Sequence, residues 1–112
     1  AEGWGLGAFE AATLGKPVLM TAWGGQCEFL GTDGPGAIPD VLEPVPLWPP
    51  HQPSYFPSQC WATPDADAAV ALMRAAADDD APMQVAANAI RERIVRDYAE
   101  PVVVDALIEA IA

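Results

Sequence analysis

The sequence of 112 residues predicts an α/β fold with short parallel strands and a helical C-terminal part, on three observations. All nine glycines lie within the first 36 residues, where they punctuate brief apolar runs. Nine of the twelve prolines fall between Pro35 and Pro64. Beyond Pro64 the chain is rich in Ala, with apolar residues at helical spacing. One domain or less is expected, with an α/β part over 1–47, a Pro- and aromatic-rich loop over 48–62 and helices over 63–112.

In the first zone, Leu6 to Leu14 reads as a short apolar helix, with Gly15 placed to end it in a left-handed C-cap. Val18-Leu19-Met20-Thr21 is apolar on both faces, which suits a buried parallel strand. Trp23-Gly24-Gly25 breaks that strand, and Gln26 to Leu30 reads as a second short helix. Ile38 to Leu47 supplies one more strand, interrupted or at an edge because Pro39, Pro44 and Pro46 lack ladder donors. Trp48 to Ser58 has no regular element; its rings (Trp48, Tyr55, Phe56) suit an ordered insertion better than a linker.

The helical zone has clearer punctuation. Thr63-Pro64-Asp65 combines a capping oxygen, a first-turn proline and an acid, and predicts a helix to about Ala77 that buries Val70, Met73 and Ala77. Asp78-Asp79-Asp80 reads as a solvated turn before a helix beginning near Pro82, whose inner stripe is Ile90, Ile94 and Tyr98. Pro101 opens a last helix in which Val104, Leu107, Ile108 and Ile111 repeat at i, i+3, i+4 and i+7.

Five basic against sixteen acidic side chains give a net charge of −11, which argues against binding a nucleic acid backbone. The sequence holds no apolar stretch long enough to span a membrane and no secretion-signal pattern. Cys27 and Cys60 are too few for a disulfide framework or a zinc site; reduced thiols packed as small hydrophobes, in the cytoplasm, are expected. His51 reads as surface decoration before acid–base catalysis. Asp78 to Asp80 reads as a capped turn before a metal cluster.

The stretch with chemical content is Glu2-Gly3-Trp4-Gly5-Leu6-Gly7-Ala8-Phe9-Glu10. Alternating glycines before a helix allow close approach to a ligand, and the first-turn amides favour an anion. On a single helix Glu2 and Glu10 would stand about 80° out of phase and roughly 12 Å apart along the axis. With Glu2 on the loop and Glu10 one turn into the helix, both reach one pocket. A carboxylate accepts two hydrogen bonds side by side, which suits a vicinal diol. The bland alternatives are two solvated acids and a turn needed only for packing. Lys16 lies at the remote end of the helix, where it complements the negative terminus. Trp23 follows the strand's C-terminal end and is open to core packing or to contact with a base.

The run Glu2 to Glu10, with Gly15-Lys16-Pro17-Val18 and then Gly24-Gly25 and Glu28, resembles the E-x7-E region of family 4 (group 1) glycosyltransferases of the GT-B type. Trp61-Ala62-Thr63-Pro64-Asp65 resembles a stretch further along some bacterial members. The resemblance covers mainly residues 2–30 and implies a partial Rossmann-like fold, the rear half of a donor-binding domain. It also implies a retaining transferase that takes a nucleoside-diphosphate sugar as donor, without a bound metal or other cofactor. Glu10 would hold the donor's ribose hydroxyls, Glu2 would meet a hydroxyl of the donor sugar at the reacting end, and the amides of Gly3, Trp4, Gly5 and Leu6 would line sugar and diphosphate. Trp4 stands where the family often has Phe. The acceptor-binding domain and the bases that neutralise the diphosphate normally precede this motif, so residues 1–112 alone are expected to transfer no sugar.

Two rivals stand beside this reading. One is a non-catalytic interaction or scaffold module derived from the same fold, associating through the unpaired apolar edge of strand 17–21. The other is a sugar-nucleotide epimerase of similar architecture. Donor base, donor sugar and acceptor are not legible.

Overall fold

The computed structural model describes residues 3–45 and 58–112. Along the chain run α1 (Leu6–Thr13), β1 (Met20–Thr21), α2 (Cys27–Leu30), β2 (Ala37–Ile38), β3 (Asp40–Pro44), β4 (Cys60–Pro64), α3 (Ala66–Asp78), α4 (Ala81–Asp97) and α5 (Glu100–Ile111). Helices and short strands are mixed, as an α/β reading requires. The strands form two separate pairs: β1 with β2 in parallel, Met20 opposite Ala37, and β3 with β4 antiparallel, Asp40 opposite Pro64. No described helix is long and apolar enough to cross a membrane.

The first helix stops where its glycine dictates. Gly15 takes φ 69°, its amide bonds Ala12 O at 2.9 Å, and the Lys16 amide bonds Ala11 O at 2.9 Å. These 5→2 and 6→1 bonds make a Schellman motif. The Lys16 backbone, more than its ammonium, therefore closes the helix. The strand that follows is only two residues long, shorter than the apolar run Val18 to Thr21.

The middle of the chain departs from expectation. Pro39 interrupts the expected strand, separating β2 from β3, and β3 is an edge strand, but it pairs antiparallel with β4 and not with β1 or β2. Trp61 to Pro64 belong to β4, so Thr63 and Pro64 do not begin a helix. Thr63 Oγ1 donates instead to Glu43 Oε2 across the ribbon at 2.7 Å. A proline at the last position of an edge strand costs no ladder bond, which is why the helix-start signature was ambiguous. The true N-cap is Asp65, whose Oδ1 accepts the Ala68 amide at 2.9 Å. Trp48, His51, Tyr55 and Phe56 lie outside the described residues.

The helix α3 turns a different face inward from the one its large residues suggested. Val70 is 44% and Met73 61% exposed, and Ala77 is exposed too, whereas Ala69, Leu72 and Ala76 are half-buried. The inner face of α3 is therefore Ala69, Leu72 and Ala76, while Val70 and Met73 face outward. Asp79 takes the capping role foreseen for the acidic turn: its Oδ1 accepts the Ala81 amide at 3.0 Å, and Pro82 occupies the first turn of α4.

Helix α4 organises the core as its periodicity predicts. Ile94 is 3% exposed and packs with Ala12 of α1 and Phe29 of α2, with Ile90 and Tyr98 partly buried around them. Two polar ties fix α4 against the N-terminal part. Gln84 Nε2 donates to Gly15 O at 2.9 Å, and the Arg93 guanidinium donates to Phe29 O. Cys27 is half-buried, but Cys60 is exposed on the ribbon, contrary to the expectation that both pack inside; both thiols are free.

Truncation should separate core from surface in urea denaturation. Ile94→Ala should cost about 3 kcal/mol. Asp65→Ala should cost about 1 kcal/mol through the lost cap. Val70→Ala, on the outward face of α3, should stay within about 0.5 kcal/mol of the parent chain.

Candidate functional site

The site predicted around the first helix is built from two glycine-bearing segments that meet. Gly5 is buried and caps α1 with φ 81° and ψ 53°, a left-handed conformation that a side chain adopts only under strain. A Cβ on Gly25 would lie 1.9 Å from Gly3 O, so the turn after β1 presses its backbone directly against the loop that enters α1. Gln26 locks that turn: its Nε2 donates to Thr21 O at 3.1 Å and to Trp23 O. The result is a paired-loop platform at the C-terminal end of β1 and the N-terminal end of α1.

Trp4 anchors the platform from below. Its indole lies 5.2 Å from the Phe29 ring, 5.5 Å from Tyr98 and 5.7 Å from Phe9, centroid to centroid. The side chain is thus turned into the core, and only the Trp4 main chain is left for a ligand. Trp23, open in the sequence to core packing or a base contact, is 50% exposed and does not pack in the core.

The start of α1 leaves donors unspent. The Phe9 amide closes onto Gly5 O at 2.9 Å, whereas the amides of Gly7 and Ala8 have no acceptor among the described residues. Gly5 offers no side-chain cap, and the first turn holds no acid. By contrast α2, α3 and α5 each carry an acid in the first turn: Glu28, Asp67 and Glu100. In a chain of net charge −11, no acid in the first turn offsets the partial positive charge of this helix end.

Glu10 stands on the outward side of α1 and is exposed. It lies three and four residues beyond Gly7 and Leu6, so all three share one stripe of the helix. A Cβ on Gly7 would meet nothing within 4 Å, and Leu6 is 57% exposed, so the stripe is open to solvent. The carboxylate makes no ion pair or hydrogen bond among the described residues. Glu2 lies outside the described residues. Among the predicted residues, then, Gly3, Trp4 and Gly5 form one loop, and Leu6 and Glu10 lie along one helix face. The sequence reading invoked the first-turn amides as a group but did not name Gly7 and Ala8, the second and third helical positions, whose amides are orphan donors by construction.

Two other concavities lie between the 31–36 loop and α4, and neither includes Gly3, Trp4, Gly5, Leu6 or Glu10. The first is lined by Ala12, Val18, Met20 and Ile90 with a free volume of about 30 Å³, room for one water. The second is an open groove. Among the described residues no group of three His, Cys, Asp or Glu is placed to hold a metal. Comparison with protein-family models, curated proteins and solved structures returns no match for this chain.

Cys27 opens α2 beside the platform, and its thiol pKa is raised, first by burial and then by the negative charges of Asp40 and Glu28. A raised pKa leaves less thiolate at a given pH, so iodoacetamide should label exposed Cys60 well before Cys27, with mass-mapped peptides as the readout. The platform has its own test. Gly25→Ala should cost about 1–3 kcal/mol because backbone must move. Gly7→Ala, with open space at its Cβ, should be neutral or stabilise by up to about 1 kcal/mol.

Proposed function

We propose that this chain is the donor-site portion of a retaining glycosyltransferase, a hexosyltransferase that binds a nucleoside-diphosphate sugar and passes the sugar to an acceptor hydroxyl. One observation carries the reading: at the acid-free first turn of α1 the Gly7 and Ala8 amides have no acceptor among the described residues, and Glu10, with no ion pair or hydrogen bond among them, stands on the same helix face. The two features want opposite parts of one molecule. Free amides at a positive helix end favour phosphate oxygens. A carboxylate nearby repels phosphate but accepts the paired hydroxyls of a ribose. A nucleoside diphosphate supplies both groups.

In this reading the diphosphate lies across the Gly7 and Ala8 amides, with the Gly3–Leu6 main chain beside the sugar. Glu10 takes the ribose hydroxyls, and Glu2 takes a hydroxyl of the transferred sugar. The bond between the anomeric carbon and the diphosphate oxygen breaks, the acceptor oxygen bonds to the same face of that carbon, and the acceptor's proton passes to the departing diphosphate oxygen. The amides lower the barrier by meeting charge as it gathers on the departing diphosphate. They are fixed in advance by the αL cap at Gly5 and by the Gly3–Gly25 contact, so little reorganisation is needed at the moment of transfer. Further positive charge for the diphosphate would come from groups outside this platform, since Lys16 follows the opposite end of α1.

Calorimetric titration with nucleoside diphosphates tests the assignment. Glu10→Ala should weaken ribonucleoside diphosphates about 10- to 100-fold, the loss of hydrogen bonds to a charged acceptor. The same variant should leave a 2′,3′-dideoxy analogue unchanged. Equal binding of the ribose ligands to both proteins would refute the role given to Glu10.

A further inference from the structure

We propose that Trp23 is the stacking surface for the sugar of the donor, its indole covering the apolar face of a hexose; the inference rests on the donor-site reading above. Trp23 is 50% exposed, and the ring contacts among the described residues all join Trp4, Phe9, Phe29 and Tyr98. Exposure alone is ordinary for a single apolar side chain. Here the backbone that carries the ring is fixed on both sides. The Trp23 amide donates to Thr21 O at 2.8 Å, and the Trp23 carbonyl accepts from Gln26 Nε2, which also donates to Thr21 O at 3.1 Å. The indole therefore stands on an ordered turn and has only its own two side-chain torsions to lose on stacking.

That turn is part of the platform. A Cβ on Gly25 would lie 1.9 Å from Gly3 O and 3.1 Å from Trp4 Cα, and one on Gly5 would lie 3.2 Å from Gln26 Cβ. Residues 23–26 thus stand against the loop that enters α1. Gln26 adds a polar group to the ring. With Nε2 spent on two carbonyls, Oε1 is an acceptor, and no described residue donates to it. It is open to solvent, since Arg93 Nε is the one buried and unpartnered side-chain polar atom among the described residues.

Order along the donor decides which part meets the turn. A nucleotide sugar runs from base to ribose to diphosphate to hexose. In the proposed site the diphosphate lies on the Gly7 and Ala8 amides and the ribose at Glu10, about 7.5 Å along the helix from Gly5. The base then extends past Glu10, away from Trp23. The hexose falls back toward Gly3 and Gly5, where the 23–26 turn lies. A pyranose carries C–H bonds on its faces and hydroxyls around its rim. The negative face of an indole suits the first, and the free oxygen of Gln26 suits the second.

Calorimetric titration of the full chain with UDP-glucose and GDP-mannose, each beside its own nucleoside diphosphate, tests the inference. Trp23→Ala should weaken the sugar nucleotide about 3- to 10-fold and leave the bare diphosphate unchanged. Trp23→Phe, which keeps a ring face, should recover most of the loss. Far-UV circular dichroism should be the same for all three chains, because the ring lies outside the core. Equal weakening of sugar nucleotide and bare diphosphate, or no weakening of either, would overturn the inference. Glu10→Ala separates the two levels. If it weakens UDP or GDP while Trp23→Ala changes nothing, the donor site stands without a Trp23 contact. If neither nucleotide binds the parent chain, the donor-site reading falls and this inference with it.

Discussion

The packing of one indole holds the molecule's two ends together. Trp4 sits among Phe9 of α1, Phe29 of α2 and Tyr98 at the end of α4, with ring centroids 5.2 to 5.7 Å apart. Phe9 and Phe29 meet edge to face at 5.1 Å, and Phe9 and Tyr98 at 5.6 Å. Tilted ring contacts of this kind add about 0.5–1.5 kcal/mol each beyond the area they bury. The glycine loop has few atoms with which to hold itself in place. Its position is inherited from Trp4 below and Gly25 alongside.

That anchoring gives the platform its chemistry. Backbone amides bind an oxyanion well only if they already point at it, and loops rich in glycine pay heavily in entropy to do so. Here the loop is held in the folded chain: the partly buried indole packs against the core, Gly5 is left-handed, and Gln26 ties the facing turn to Thr21. Acids are excluded from the first turn of α1 although sixteen are distributed over the chain. In the proposed reading Glu10, one turn further on, repels phosphate and holds hydroxyls. The spacing separates these two demands along one helix face.

The rest of the fold is open in a way that the core is not. Two-stranded sheets present edges, and the ribbon of β3 and β4 is exposed along most of its length, with Val41 at 66% and Trp61 at 48%. α4 buries Met83, Ala87 and Ile94, while α3 and α5 bury no residue fully. Stability is therefore concentrated where α1, α2 and α4 converge.

Local rules were legible because local energies decide them. Gly15 had to end α1, Pro82 and Pro101 had to open helices, and Ile90, Ile94 and Tyr98 had to share a face. The glycines and the glutamate of the first helix marked the candidate site before any coordinates. What the letters could not carry were choices between near-equal local solutions. Thr63-Pro64-Asp65 serves a strand end as well as a helix start, and the ribbon's pairing across a long loop settled it. Val70 and Met73 could have faced inward, but α3 turns Ala69, Leu72 and Ala76 toward the rest of the fold instead. Trp4 could have faced a ligand, and the ring cluster drew it into the core. Sequence by itself determined where α1 stops and where α4 and α5 begin, because caps and prolines act within one turn of chain. Tertiary structure alone decided which face each element buries, because that depends on the surface brought against it from far along the chain.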